Sequence, residues 1–300
     1  MGSRRTLSFY VLAAVFGLYV LFLYGPTLTI LALSFQGPSG GMTFPMQGVS
    51  LHWFRNLFAG IGVPNVVAAL WNSLKLGLVV TALTVVISIL AGYAFRRRFL
   101  GQDVLFFGAI ASLILPSIVV SLGIALEFQL FNQSTIALGD AYEIAWVQDE
   151  FRTWMGLFTS GLGAQLTWTL PFGLLIMFAV FNRFDPAYEE AARDLGATPW
   201  QTFRHVVLPM IAPSVVGVAL FGFTLSWDEI ARSSQTVGSA NTLPLTLQGL
   251  TTTVTTPVIY ALGTVTTLVS FTAIGLALAG SWWVEHRRRR RVTGERSDAV

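Results

Sequence analysis

The sequence predicts an all-α integral membrane protein with six transmembrane helices. Three observations carry that prediction. The 300 residues are 54% hydrophobic and only 11% charged, where a soluble chain carries about 25% charged residues. Phenylalanine, at 23, outnumbers aspartate and glutamate together, at 15. Six stretches are long and apolar enough to cross a bilayer, which takes about 20 residues. They run roughly over 9–35, 70–95, 104–131, 162–182, 210–231 and 257–284. Each is read as helix, because unpaired backbone does not cross lipid. The whole chain, 1–300, reads as one transmembrane domain.

The spans follow in order. The first, 9–35, is too long for a cleaved signal peptide and lacks a small-x-small cleavage site. The second, 70–95, opens at Asn72-Ser73-Leu74, carries Lys75 one turn in, and ends on Arg96-Arg97-Arg98. Lys75 is expected to snorkel to the outer surface. The third, 104–131, contains Pro116 and Gly123 and carries Glu127 in its outer part. The fourth, 162–182, contains Pro171 and Gly173. The fifth, 210–231, contains Gly217 and reaches Asp228 and Glu229 near its outer end. The sixth, 257–284, runs into Arg287–Arg291. Prolines and glycines inside spans imply kinks and close helix approach. Trp71, Trp146, Trp154 and Trp168 are placed at the outer interface, Trp282 and Trp283 at the inner one.

Lysine and arginine set the orientation. Of 18 basic residues, 14 fall on one side: Arg4, Arg5, Arg96–Arg98, Arg183, Arg193, Arg204, Arg287–Arg291 and Arg296. Both termini are therefore expected in the cytoplasm, with 36–69, 132–161 and 232–256 outside. The arginine run reads as an anchor on anionic headgroups rather than a nucleic-acid patch.

Several classes of chemistry drop out. The chain has no cysteine, which removes disulfides and thiolate sites. His52, His205 and His286 lie far apart, so no metal site and no bound cofactor are expected. Walker A, G-x-S-x-G and H-E-x-x-H motifs are absent, so no enzyme activity is expected and no catalytic residue is assigned. Asn132-Gln133-Ser134 matches a glycosylation triplet, a pattern short enough to arise by chance.

The informative stretch is 183–213. Asp185-Pro186 reads as N-cap and first helical residue. Ala187–Leu195 follows, closed by Gly196 at a C′ position. Tyr188, Ala191, Ala192 and Leu195 share one face; Glu189, Glu190, Arg193 and Asp194 line the other. Thr198-Pro199-Trp200-Gln201 then forms a capping box, and Trp200, Phe203 and Val207 lead into Leu208-Pro209. Two short helices turned at a glycine read as a docking element for a cytoplasmic partner, with a helix lying on the membrane surface as the alternative and a DNA-binding helix-turn-helix disfavoured by the spans that tether both ends.

Glu190-Ala191-Ala192, three residues, Gly196, nine residues, Val206, one residue, then Leu208-Pro209 resembles the EAA loop of type I ABC importer permeases, with valine where the family has isoleucine. Phe44-Pro45 through Trp53-Phe54, Asp194-Leu195-Gly196-Ala197, Ser226-Trp227-Asp228-Glu229 and Thr242-Leu243-Pro244 are similar to the spermidine/putrescine branch. The resemblance implies a type I permease bundle whose cytoplasmic loop, 183–209, couples to an ATPase through Glu189, Glu190, Ala191, Ala192, Asp194, Gly196, Leu208 and Pro209. It implies two ATPase subunits that bind the ATP, a second homologous permease in a heterodimer, an extracytoplasmic solute-binding protein, and a bacterial inner membrane. The implied solute is small and polar, with polyamine as the first reading. Another small solute or ferric iron is the alternative, and a stand-alone secondary transporter is the reading from a different class.

About 20 residues near 133–154 exceed the family's usual connection. Ile144, Val147, Phe151, Trp154 and Phe158 sit at rough helical spacing, which suggests an interfacial amphipathic helix or an altered surface for the binding protein. The candidate substrate path is Asp228, Glu229, Glu127 and Trp227. The acidic pair either passes a cationic solute or lies at the water interface and pairs with Arg232. Glu127 either faces the same path or pairs with Lys75 or a polar neighbour.

Overall fold

The computed structural model describes residues 7–61, 63, 65–253 and 256–297. Thirteen α-helices appear among them: α1 (Leu7–Leu33), α2 (His52–Ala59), α3 (Val66–Ala94), α4 (Gln102–Ile114), α5 (Ser117–Ala141), α6 (Ala145–Asp149), α7 (Ser160–Asn182), α8 (Ala187–Asp194), α9 (Pro199–Thr202), α10 (Leu208–Trp227), α11 (Ser233–Thr236), α12 (Leu243–Thr253) and α13 (Val258–Ser297). A π-helical turn, Phe203–Val207, joins α9 to α10. The described residues contain no strand, only an isolated antiparallel bridge between Gln36 and Val49.

Five helices are long and apolar enough to cross a membrane: Leu7–Leu33, Val66–Ala94, Ser160–Asn182, Pro199–Trp227 and Val258–Gly280. They match five of the six predicted spans. The last continues as helix to Ser297, so the arginine run lies on the same element as the sixth span.

The third predicted span is present as a bent pair of helices, a correction to its geometry alone. The helix breaks between Ile114 and Ser117, and α4 and α5 meet at 112°. Pro116 has no N–H and forces the residue before it out of the helical region; Leu115 is extended, with φ −72° and ψ 136°. Helix α4 has 13 residues, about 20 Å at 1.5 Å per residue, too short to cross a core of about 30 Å. The sequence marked a kink at Pro116 where the chain makes a corner.

The segment near 133–154 is a second correction. It is not one amphipathic helix. Helix α5 runs on through Ala141, the chain turns at Glu143 with φ +50°, and only the five-residue α6 follows. Asn132 then pins the loop back on α5: its Nδ2 donates to Thr153 Oγ1 at 2.8 Å and its Oδ1 accepts from the Trp154 N–H at 2.7 Å. Trp154 Nε1 donates to Thr135 Oγ1 at 2.8 Å. Trp146, Phe151 and Trp154 cluster at 5.4–6.4 Å between ring centres.

Where the sequence reads as one domain, the helices group into two compact units. One comprises Met1–Val67 with Thr246–Val269, the other Ala68–Leu245 with Ser270–Val300. In the first, buried Gln36 staples the segment after α1: its Nε2 donates to Gly41 O at 3.2 Å and its Oε1 accepts from Gln47 N at 2.7 Å. Tyr260 Oη donates to Met42 O at 2.8 Å.

In the second unit, α3, α7 and α10 pack through small residues. Lipid offers no hydrophobic drive between helices, so close van der Waals approach takes its place. Gly92 of α3 lies against Met177 and Phe181 of α7, and Gly222 of α10 lies against Thr81 and Thr84 of α3. Thr84 and Thr169 share a buried 2.7 Å hydrogen bond. A Cβ at Gly173 would fall 2.2 Å from Ser88 Oγ and 3.1 Å from Thr84 Cγ2. Gly173→Ala is therefore expected to cost about 1–3 kcal/mol through overpacking. The check is thermal unfolding in detergent: a lowered midpoint, partly recovered by adding Ser88→Ala. An unchanged midpoint for Gly173→Ala contradicts the contact.

Candidate functional site

Helix α8 and the turn after it are specified locally. Asp185 Oδ1 accepts from the Ala187 N–H at 3.0 Å, which caps the first turn. At the other end Gly196 has φ +84°. Its N–H donates to Arg193 O at 2.8 Å, and the Ala197 N–H donates to Ala192 O at 3.0 Å. This is a Schellman closure, which needs a left-handed residue at that place. The capping box at α9 is also present: Thr198 N donates to Gln201 Oε1 at 2.8 Å, and Gln201 N to Thr198 Oγ1 at 3.3 Å.

The second short helix is not separate. Helix α9, the π turn and α10 form one run, Pro199–Trp227. Pro209 cannot donate to a carbonyl one turn back, and the five-residue π turn sits immediately before Leu208-Pro209, where bonding shifts to a wider ring. The fifth span is thus continuous with the element that carries Trp200.

The faces of α8 depart from the expected pattern. Tyr188 is 53% exposed, Leu195 90% and Trp200 64%, while Glu189 is 5% exposed. The apolar side points out and one carboxylate points in. Glu190, Ala191 and Asp194 are exposed and Ala192 is half-buried. Leu208 packs against the buried cluster of Met177, Phe181, Val207 and Ile211. A groove of about 380 Å³ opens beside Leu195, Gly196, Ala197, Gln201, Thr202, His205 and Val206.

Among the described residues, both ion pairs end on Glu189. Its Oε1 takes Arg96 Nη1, and its Oε2 takes Arg193 Nη2 at 3.2 Å. The Arg96 guanidinium also stands 5.3 Å from the Tyr93 ring centre, 5.7 Å from Phe181 and 5.0 Å from Phe184. Tyr93 meets Phe203 at 5.7 Å, and Phe184 meets Tyr188 at 6.3 Å. The chain after α3, the end of α7, α8 and the π turn therefore share one aromatic knot around one cation. Sequence reading missed Arg96: it counted Arg96, Arg97 and Arg98 alike, and no spacing distinguishes the inward one.

The predicted path residues do not converge in this way. Asp228 is exposed at the end of α10, Glu229 is half-buried, and Glu127 is exposed on α5. No described ion pair joins Glu127 to Lys75. Trp227 is buried, stacked on Phe223 at 5.6 Å, and its indole N–H has no partner.

Arg232 is the second residue whose role the sequence hid. It is wholly buried. Glu229 Oε1 accepts from its backbone N–H at 2.9 Å, but no carboxylate pairs with the guanidinium among the described residues. Nη2 instead donates to Ser112 O at 3.1 Å, Nη1 to Thr167 Oγ1, and Nε to Ser117 Oγ at 3.4 Å. Ser112 O is the carbonyl that residue 116 would have satisfied had it not been proline. The guanidinium lies 5.0 Å from the Trp168 ring centre, so Trp168 faces a cation. Burial pushes the guanidinium down, and the Glu229 charge opposes that.

Residues 84–290 match the family described as "Binding-protein-dependent transport system inner membrane component". The chain belongs to that family. This permease is 31% identical to the trehalose transport system permease protein SugB of Mycobacterium tuberculosis, over 84% of each chain. It is 28% identical to the spermidine/putrescine permease PotC of Haemophilus influenzae, over 85% of this chain and 90% of that one. It is 30% identical to the putrescine permease PotI of Escherichia coli, over 75% and 74%. A crystal structure of a bacterial ABC transporter for alginate has the same fold, with TM-score 0.62, 16% identity and 95% of each chain covered. The methionine transporter MetNI gives 0.53 at 17% identity, over 73% of this permease and 95% of that chain. The protein is an all-helical, multi-pass inner-membrane permease subunit of an ABC importer, a transport subunit and not an enzyme.

Proposed function

We propose that this permease forms half of the translocation path for a small polar solute, and that an ATPase subunit docks on α8 and the turn after it from the cytoplasm. The observation that carries the docking reading is the exposure of Tyr188 on α8, Leu195 just after it and Trp200 on α9, while α8 turns its Glu189 inward. A solvated helix would do the reverse. Apolar and aromatic side chains around a shallow groove are what a partner's core contacts need. The second half of the path is a homologous permease in a heterodimer, two ATPase subunits bind the ATP, and an external binding protein delivers the solute. Both termini lie in the cytoplasm on the distribution of arginine.

Polyamine is the proposed solute, supported by the exposed Asp228 and the neighbouring Glu229 at one end of α10 and by the names of the putrescine relatives. The trehalose relative favours a second reading, a disaccharide. Uptake of labelled spermidine, putrescine and trehalose by cells with and without this permease separates them. Asp228→Asn with Glu229→Gln is expected to lower polyamine uptake and leave trehalose uptake alone.

Docking has its own test. Tyr188→Asp with Leu195→Asp is expected to cut recovery of the ATPase with the tagged permease by roughly tenfold or more, as losses at interface centres do. Full recovery of the ATPase would reject the docking reading.

A further inference from the structure

We propose that the Arg96–Glu189 ion pair is the link through which movement of α8 reaches the second span, α3. The inference rests on the reading that the ATPase docks on α8. Helix α8 is tied to α7 by the chain itself, and to α9 by the Gly196 turn. Arg96, just after α3, is 93 residues away in sequence, and its bond to Glu189 crosses that separation directly.

The pair is built to hold. Glu189 and Arg232 are the only buried charged residues among those described. Both Glu189 oxygens are engaged, one by Arg96 and one by Arg193. Three aromatic rings surround the Arg96 guanidinium, and a planar cation on ring faces keeps its orientation. An exposed pair is screened and slack. A shielded one is different: separating α8 from the end of α3 would leave buried Glu189 with only its half-exposed α8 neighbour Arg193, and would take from the largely shielded Arg96 guanidinium its only carboxylate among the described residues. The two elements therefore move together. Arg97 and Arg98, next in sequence, are exposed, so a general preference for cations on this side does not explain why Arg96 turns inward. Tyr188 and Leu195 remain on the outer face, so docking and transmission use different sides of one short helix.

The test uses the assembled importer reconstituted with its ATPase and binding protein, reading uptake and ATP hydrolysis together. Arg96→Met and Glu189→Gln are each expected to lower solute moved per ATP hydrolysed by roughly tenfold or more, the scale of a coupling between two sites. The double variant should be no worse than either single one, because both remove the same interaction. Arg96→Lys should recover much of the ratio, and Arg97→Met, which removes the same charge from an exposed place, should leave it unchanged. The ATPase should co-purify with every variant as it does with the wild type. Additive losses, a normal ratio in Arg96→Met, or loss of the ATPase in step with loss of uptake would overturn the link. If Tyr188→Asp with Leu195→Asp fails to release the ATPase, the docking reading falls and the link with it. If that variant does release the ATPase while Arg96→Met keeps a normal ratio, the link alone is wrong.

Discussion

Gly196→Pro is expected to stop solute uptake while the permease still inserts in the membrane and ATP is still hydrolysed. Gly196 holds φ +84° at the turn between α8 and α9, and proline is confined to about −65°. The substitution also removes the N–H that donates to Arg193 O at 2.8 Å. Both effects undo the Schellman closure, so α8 is re-aimed relative to α9, and α9 is one continuous run with the fifth span. No heavy atom of a neighbouring group lies within 4 Å of a Cβ built at Gly196. Gly196→Ala therefore meets only the left-handed backbone cost, about 1–2 kcal/mol, and should keep much of its uptake. Proline should lose nearly all of it. The measurement is uptake against ATP hydrolysis in the reconstituted importer for both variants. Wild-type uptake by Gly196→Pro would refute the role given to this turn.

Arg232→Ala should be the most destabilising single change in the second unit. It strips a buried cation from Ser112 O, Thr167 and Ser117 at once and leaves a void beside Trp168. Hydrogen bonds from a charged donor are worth about 1.5–3 kcal/mol each, and water entering the gap offsets part of that. A net loss on the order of 3–5 kcal/mol follows, comparable to breaking a buried ionic group. At the slope seen for chains of this general size, the unfolding midpoint drops by roughly 10 °C or more. Arg232→Lys keeps the charge, but one ammonium cannot reach three acceptors held by a planar fork, so it should fall between. A midpoint for Arg232→Ala within a degree or two of wild type would mean the corner at Pro116 does not depend on this guanidinium.

Most of the span plan was legible because its signal is one-dimensional. Length and apolarity place α1, α3, α7, α10 and α13 without reference to any neighbour. The same holds for Asp185, Gly196 and the Thr198–Gln201 box, whose partners lie within a turn or so along the chain. The corner at Leu115-Pro116 was only half legible. A proline inside an apolar run predicts a kink, but the 112° corner has its freed carbonyl answered by Arg232, 120 residues further on. Helix α8 was misread in one respect for a related reason. Periodicity groups its residues into two faces, yet cannot say which residues meet the protein: Glu189 turns in while Glu190 and Asp194 of the same group stay exposed. Arg96 draws Glu189 inward, seated among Tyr93 from its own stretch, 93 residues before Glu189, and Phe181 and Phe184 from the end of α7 and the turn after it.

The sequence by itself determined the environment, the helical class, five spans and the caps of the coupling loop, because lipid demands internally bonded apolar helices and caps are local chemistry. Only the tertiary structure decided which arginines are structural. Arg96 and Arg232 look like any other arginine in the string. What sets them apart is desolvation, a property of the atoms packed around a charge, supplied here by residues from distant parts of the chain.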